Sequence, residues 1–173
     1  VKKDGLVYHA YYKTGKSFER IINNVKKFLK DNPSETVIMR IKDEDSSNGI
    51  MLSSVIIKIM EKNPDLFLPT DRVPRLKEAR GKIVPVFQIR AFGFWLRFNK
   101  FLKGKTYLRW GVSNLMELQD DYKVFFLNSK RKAVIDFQNK HKNKSVAKMY
   151  YNHVSGTQVF YFVDIENVAY YVN

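Results

Sequence analysis

The chain of 173 residues contains no cysteine. A disulfide scaffold, a thiolate nucleophile and a cysteine-based zinc site are therefore excluded together. The same absence does not fix the compartment, because a secreted bacterial protein can also do without cysteine. Acidic residues are scarce: 17 Asp and Glu face 31 Lys and Arg, a formal charge of +14. Apolar runs are short, and none reaches the roughly 18 residues of a membrane-spanning helix. A phosphate-binding glycine loop, a dinucleotide fingerprint and a nucleophilic serine elbow are also missing. His9, His141 and His153 have neither metal-ligand spacing nor a carboxylate cluster beside them, so the sequence supports no metal site.

What is present suffices for a globular fold. Apolar residues make up 45% of the chain and aromatic residues 14%, which excludes intrinsic disorder. The length suggests one domain. The chain starts at Val1 and stops within the apolar Tyr170-Tyr171-Val172-Asn173, so both ends read as cuts through a longer chain. The excess of cations suits a polyanion, either nucleic acid or an anionic membrane surface. Ser129-Lys130-Arg131-Lys132 and Lys140 to Lys144 read as solvated helix faces. Arg97 to Lys105 alternates cations with bulky apolar side chains, next to Phe92, Phe94 and Trp95. That mixture fits a membrane interface or an ordinary amphipathic core segment.

Strands and helices alternate. Leu6-Val7-Tyr8-His9 reads as a strand before a loop. Phe18, Ile21, Ile22, Val25, Phe28 and Leu29 then share one face of a 3.6-residue period, and Asn32-Pro33 closes that helix. Thr36 to Ile41 is a second strand, and Met51 to Lys62 a second helix stopped by Asn63-Pro64. Pro69 to Gly81 reads as a loop, and Lys82 to Phe87 as a third strand that Pro85 weakens. Ala91 to Asn114 reads as irregular and aromatic. Leu115 to Leu118 is a short strand, Tyr122 to Asn143 a long helix and Val146 to Tyr151 another strand, with a further helix from near Asp164. Near-continuous apolar strands alternating with helices predict a covered parallel sheet, hence the α/β class. A closed (β/α)8 barrel needs roughly 250 residues. The chain is therefore either a small open α/β domain or the interior of a barrel, with central βα units only.

Polar residues recur at the ends of these strands, where parallel α/β folds bind ligands. His9 ends the first. Arg40, Lys42 and Glu44 follow the second at period two and share one face. Gln88 and Arg90 end the third, Asp120, Asp121 and Tyr122 the fourth, Asn152 and His153 the fifth. A single histidine at a strand end is more often structural than catalytic, but five successive polar strand ends favour one shared mouth. The cations suit a phosphate or polyhydroxyl ligand, and a histidine suits proton transfer to a leaving oxygen.

Three segments carry a family resemblance. Phe28-Leu29-Lys30-Asp31-Asn32-Pro33-Ser34-Glu35-Thr36-Val37-Ile38-Met39 resembles a segment of bacterial-type phosphatidylinositol-specific phospholipase C. Ala79-Arg80-Gly81-Lys82-Ile83-Val84 and Gln119-Asp120-Asp121-Tyr122 are similar to its next two landmarks, in the same order and at similar spacing. The resemblance covers most of the chain and is weaker between Ala91 and Asn114 and after Lys123. It implies a partial, TIM-like (β/α)8 barrel, with residues 1–173 as part of an X-type catalytic domain truncated at both ends.

The resemblance also implies roles. His9 is the general acid that protonates the leaving diacylglycerol oxygen, although Ala10 stands where the family usually has glycine. Lys42 contacts the inositol hydroxyls, with Glu44 as its acidic neighbour. Calcium-dependent relatives have an acidic metal ligand at the position of Lys42, so no cofactor and no calcium are expected. Asp120 hydrogen-bonds inositol hydroxyls and the Tyr122 ring packs on the inositol face. Arg90 is assigned to the inositol with a two-residue insertion, whereas an ungapped count from Gly81 selects Gln88. A guanidinium that can fork to two hydroxyls favours Arg90. The general-base histidine, its aspartates and a phosphate-binding arginine cannot be placed in this chain, so the segment alone is expected to be inactive. The implied partner is phosphatidylinositol in an anionic membrane surface, met by a secreted, peripheral, monomeric protein. The alternatives are a catalytically silent module that binds lipid or inositol phosphate and, from charge alone, a nucleic-acid-binding domain. No nucleic-acid signature supports the latter, and no nucleic-acid partner is expected.

Overall fold

Ser17 opens the first long helix of the chain and Asn32 closes it. The Ser17 hydroxyl accepts from the Arg20 N–H at 3.1 Å, and the Asn32 N–H and side-chain amide both donate to the Phe28 carbonyl at 2.9 Å. Caps of this kind satisfy backbone groups that helix ends leave orphaned. The structure, a computed structural model, describes residues 1–2, 4–9, 12–43, 49–111, 114–121, 123–124, 126–143, 148–154 and 157–158. The chain divides into two units, Val1–Trp110 and Gly111–Asn173.

Unit 1 begins with strands β1 (Leu6–His9) and β2 (Tyr12–Ser17), which lead into helix α1 (Phe18–Asp31). Then come β3 (Val37–Lys42), α2 (Gly49–Glu61), the short α3 (Leu76–Ala79), β4 (Ile83–Gln88), α4 (Phe92–Leu102) and β5 (Leu108–Arg109). β3, β4 and β5 form a parallel sheet in that order, with Val37 opposite Ile83 and Lys42 opposite Gln88. β1 pairs antiparallel with β2. This corrects the expectation of a strand followed by a loop: Gly15, at φ 72°, is where the returning strand needs a left-handed residue.

Pro85 sits in the middle of β4 without breaking it. Ile83 donates to the Leu66 carbonyl at 2.8 Å on one flank, and the Phe87 carbonyl accepts from the Trp110 N–H at 3.0 Å further along the same flank. Pro85 falls between them, opposite Met39 of β3, and the ladder continues on both sides of it although it has no N–H to donate.

The core of unit 1 lies between this sheet and its helices. Phe18, Ile22 and Leu29 of α1, Leu52, Ile56 and Ile59 of α2, and Phe94, Phe98 and Leu102 of α4 are buried against Ile41, Ile83 and Phe87. Phe28, expected on the buried face of α1, is exposed. The segment read as irregular is in fact α4, with a buried stripe at i, i+4 and i+8. It ends at Lys103 and Gly104, both left-handed at φ 47° and 84°.

The loop before β4 is held by Glu78, whose carboxylate takes both terminal nitrogens of Arg72, at 2.8 and 3.0 Å, and the Arg75 N–H at 2.8 Å. The Arg72 hydrogen bonds, helped by the Arg75 N–H, hold the Glu78 carboxyl down at about 2 from its ordinary 4.5. A depressed carboxyl contributes stability that is complete above its unfolded value and lost as pH falls toward its folded one. Melting temperatures between pH 5 and pH 2 are therefore expected to fall less steeply in Glu78→Gln than in the unsubstituted protein. Parallel pH profiles for the two would refute this role of Glu78.

Unit 2 contains β6 (Met116–Gln119), β7 (Lys123–Val124), α5 (Leu127–His141), β8 (Met149–Asn152) and β9 (Thr157–Gln158). β6 pairs parallel with β8, and β7 with β9. The long helix expected from Tyr122 thus starts only at Leu127, because Lys123 and Val124 join a strand pair. The strand expected from Val146 begins at Met149, and the helix expected near Asp164 lies outside the described residues.

Candidate active site

Side chains alternate along β3. Val37, Met39 and Ile41 share the face turned to the helices, and Ile38, Arg40 and Lys42 share the other. Register brings Arg40 beside Val86 and Lys42 beside Gln88 at the carboxyl end of the sheet. Arg40 Nε donates to Gln88 Oε1 at 2.7 Å, and the Arg40 guanidinium lies 4.0 Å from the centroid of the Trp110 ring. Arg40 is thereby held between an amide and an aromatic face, next to the exposed Lys42. A cleft of about 230 Å³ lies between β1, α1 and β3, lined by Val1, Val7, Tyr8, Phe18 and Ile21 along with residues 39–42, so it is mostly apolar.

β1 ends at His9, one residue beyond Tyr8 of that cleft. The His9 side chain and all of Glu44 lie outside the described residues. Of the two candidates after β4, Gln88 shares the register and the strand end of Lys42. Arg90 is exposed two residues past the last paired position. Sequence spacing identified Arg40 and Lys42 through their period of two, but Trp110 gave no signal of its own.

In unit 2, Asp120 is exposed directly after β6, and Tyr122 lies outside the described residues. The turn that carries Asp120 is anchored by Gln119. Its Nε2 donates to Asn152 Oδ1 at 2.8 Å and to the His153 carbonyl at 3.2 Å, and its Oε1 accepts from the Asp121 N–H at 2.8 Å. Lys130 of α5 completes the anchor, donating to Gln119 Oε1 at 3.0 Å and to the Asp121 carbonyl at 2.7 Å. Lys130 is 1% exposed, which corrects the reading of a solvated helix face for this residue alone, since Ser129, Arg131 and Lys132 are exposed. Burial pushes its ammonium below the ordinary lysine value, and Asp121 and Asp120 oppose that shift. A buried cation that keeps its charge needs such partners. Asn152 and His153, which the sequence left without a role, thus hold the strand end from the β8 side.

His141 belongs to the packing of unit 2. Its ring lies 4.3 Å from Phe137 and 4.6 Å from Tyr150, and its Nε2 is 3.1 Å from Glu117 Oε1. The hydrogen bond from Lys140 and the contact with His141 hold the Glu117 carboxyl below its usual value. Among the described residues, no three His, Asp or Glu side chains gather into a group that could hold a metal ion.

No family model matches the chain. A 1-phosphatidylinositol phosphodiesterase of Listeria monocytogenes is 29% identical over 174 residues, covering 91% of this chain and 50% of that protein. The chain thus spans about half the length of that relative. A solved structure of phosphatidylinositol-specific phospholipase C from Listeria monocytogenes is similar at a TM-score of 0.81 and 27% identity, covering 98% of this chain and 61% of that one. A variant of the enzyme of the same name from Staphylococcus aureus shares the fold at a TM-score of 0.74 and 24% identity, over 99% of this chain and 62% of its own. In sequence and in α/β fold, the chain is a segment like those of the bacterial phosphatidylinositol-specific phospholipases C.

Proposed function

We propose that the protein containing this chain is a phosphatidylinositol-specific phospholipase C, and that residues 1–173 are the central βα units of a (β/α)8-type catalytic barrel. The observation that carries this reading is the pairing of Lys42 with Gln88 at the carboxyl end of β3 and β4, on the face turned away from the helices, in a chain with that likeness. Parallel α/β folds read their ligands at that end. The ammonium of Lys42, the amide of Gln88 and the neighbouring guanidinium of Arg40 are hydrogen-bonding groups that suit inositol hydroxyls or a phosphate. From the resemblance alone, Asp120 and Tyr122 are proposed as inositol contacts, Glu44 as the acidic neighbour of Lys42, and Arg90 as the further candidate beside Gln88.

In the reaction, the inositol 2-hydroxyl gives its proton to the general-base histidine that the resemblance implies, its oxygen bonds to phosphorus, and the bond from phosphorus to the diacylglycerol oxygen breaks. His9 supplies the proton that the leaving oxygen takes up. The products are diacylglycerol and inositol 1,2-cyclic phosphate, and no metal takes part. The protein would work as a peripheral monomer at a phosphatidylinositol-bearing membrane outside the cell.

The test is incubation of the complete protein with phosphatidylinositol vesicles in excess EDTA, following inositol 1,2-cyclic phosphate. Product in EDTA is the expected result. Product only with calcium would overturn the reading of Lys42, and no product under either condition, with vesicle binding retained, would leave a silent lipid-binding module.

A further inference from the structure

Several of the exposed large apolar side chains of unit 1 gather at two adjoining helix starts. Ile50 at the start of α2 is 53% exposed, and Phe92 and Leu96 of α4 are 78% and 52% exposed. The two starts touch: a Cβ on Gly93 would lie 3.0 Å from Ile50 Cγ1, and one on Gly49 would lie 2.5 Å from Ala91 Cβ. α2 follows β3 and α4 follows β4, so this patch lies at the carboxyl end of the parallel sheet, the end that carries Lys42 and Gln88.

The side of α4 turned away from the core continues from Phe92 and Leu96 to Arg97, Lys100 and Lys103. From Ala79 to Met116 the sequence has eight Lys and Arg and no Asp or Glu. In the sequence Asp43, Glu44 and Asp45 all precede α2, so the positive character belongs to α4. An apolar head followed by cations along one helix face suits a lipid headgroup layer, where rings and aliphatic chains enter the acyl boundary and cations meet phosphates. A second copy of the chain is a poor occupant, because two such α4 faces would repel each other.

We infer that the joined starts of α2 and α4 dock this protein onto an anionic lipid surface, with Phe92, Leu96 and Ile50 entering the acyl boundary and Arg97 and Lys100 at the phosphates. The inference deepens the function proposed above, since it turns the Lys42 end of the sheet toward the bilayer, but docking requires no turnover.

The test uses the complete protein and sedimentation with vesicles of phosphatidylcholine, with and without phosphatidylglycerol, an anionic lipid that carries no inositol. Phe92→Ala with Leu96→Ala is expected to weaken partition to the anionic vesicles roughly tenfold or more. Arg97→Gln with Lys100→Gln is expected to weaken it at low salt and to flatten its salt dependence. Leu76→Ala, an exposed apolar change on α3, is expected to leave partition unchanged. Cleavage of a water-soluble, monomeric inositol phosphodiester is expected to stay the same in both doubly substituted proteins. Brominated lipid is expected to quench the added emission of Phe92→Trp, a readout that needs no truncation. Partition of either double variant equal to that of the unsubstituted protein, absence of quenching, or failure of the unsubstituted protein to bind anionic vesicles would overturn the inference. Loss of partition in a protein that cleaves no inositol lipid would uphold the docking surface and sink the phospholipase reading instead.

Discussion

Replacing His9 with alanine in the complete protein is expected to lower turnover of phosphatidylinositol by roughly 10²–10⁴-fold. An alkoxide of diacylglycerol is a poor leaving group, so the bond to phosphorus breaks readily only if a proton arrives as it lengthens. A phenolate leaving group needs no such help. With a nitrophenyl ester of inositol phosphate as substrate, the penalty of His9→Ala is therefore expected to shrink markedly. The contrast between leaving groups separates an acid from a residue that only shapes the strand end. Equal losses on both substrates would remove His9 from the chemistry and return it to a structural place at the end of β1.

Phe87→Ala is expected to cost unit 1 about 3–5 kcal/mol, a large share of the 5–15 kcal/mol typical of a folded protein. Phe87 is 1% exposed, and its ring centroid lies 5.1 Å from Phe98, 5.9 Å from Tyr107, 6.0 Å from Phe94 and 6.2 Å from Trp95. It is the point where β4 meets α4, so its removal leaves a cavity that the two elements cannot close without losing their other contacts. Phe87→Leu keeps most of the volume and is expected to lose less. Urea denaturation followed by tryptophan emission measures both. A loss below about 1 kcal/mol for Phe87→Ala would mean that the aromatic cluster collapses around the gap and does not hold α4 in place.

Two cations show what sequence reading could place and what it could not. The face and strand end of Lys42 were legible because a strand places every second side chain on one face, and that period needs no knowledge of the partner strand. Lys130 was misread because a run of cations on a helix is usually solvated. Its burial depends on Gln119, Asp121 and the β8 strand end, which come together only in the folded unit. The choice between Gln88 and Arg90 has the same character. Spacing along the chain leaves both open, whereas register with β3 puts Gln88 beside Lys42.

The sequence by itself determined α1, with its apolar period, α2, the Asn-Pro stops of both, the β3 and β4 strands, and the α/β class. These follow from interactions within a few residues, caps and side-chain periodicity, which a linear reading captures. Only the tertiary structure decided the β1–β2 hairpin, the helical state of α4 and the short β7. In α4 the aromatic residues are so dense that burial alone picks out Phe94, Phe98 and Leu102 as the inward stripe. A strand of two residues such as Lys123–Val124 is held by pairing with Thr157–Gln158, far along the chain. Pairing and burial are settled between distant segments, and their free energy appears only when those segments meet.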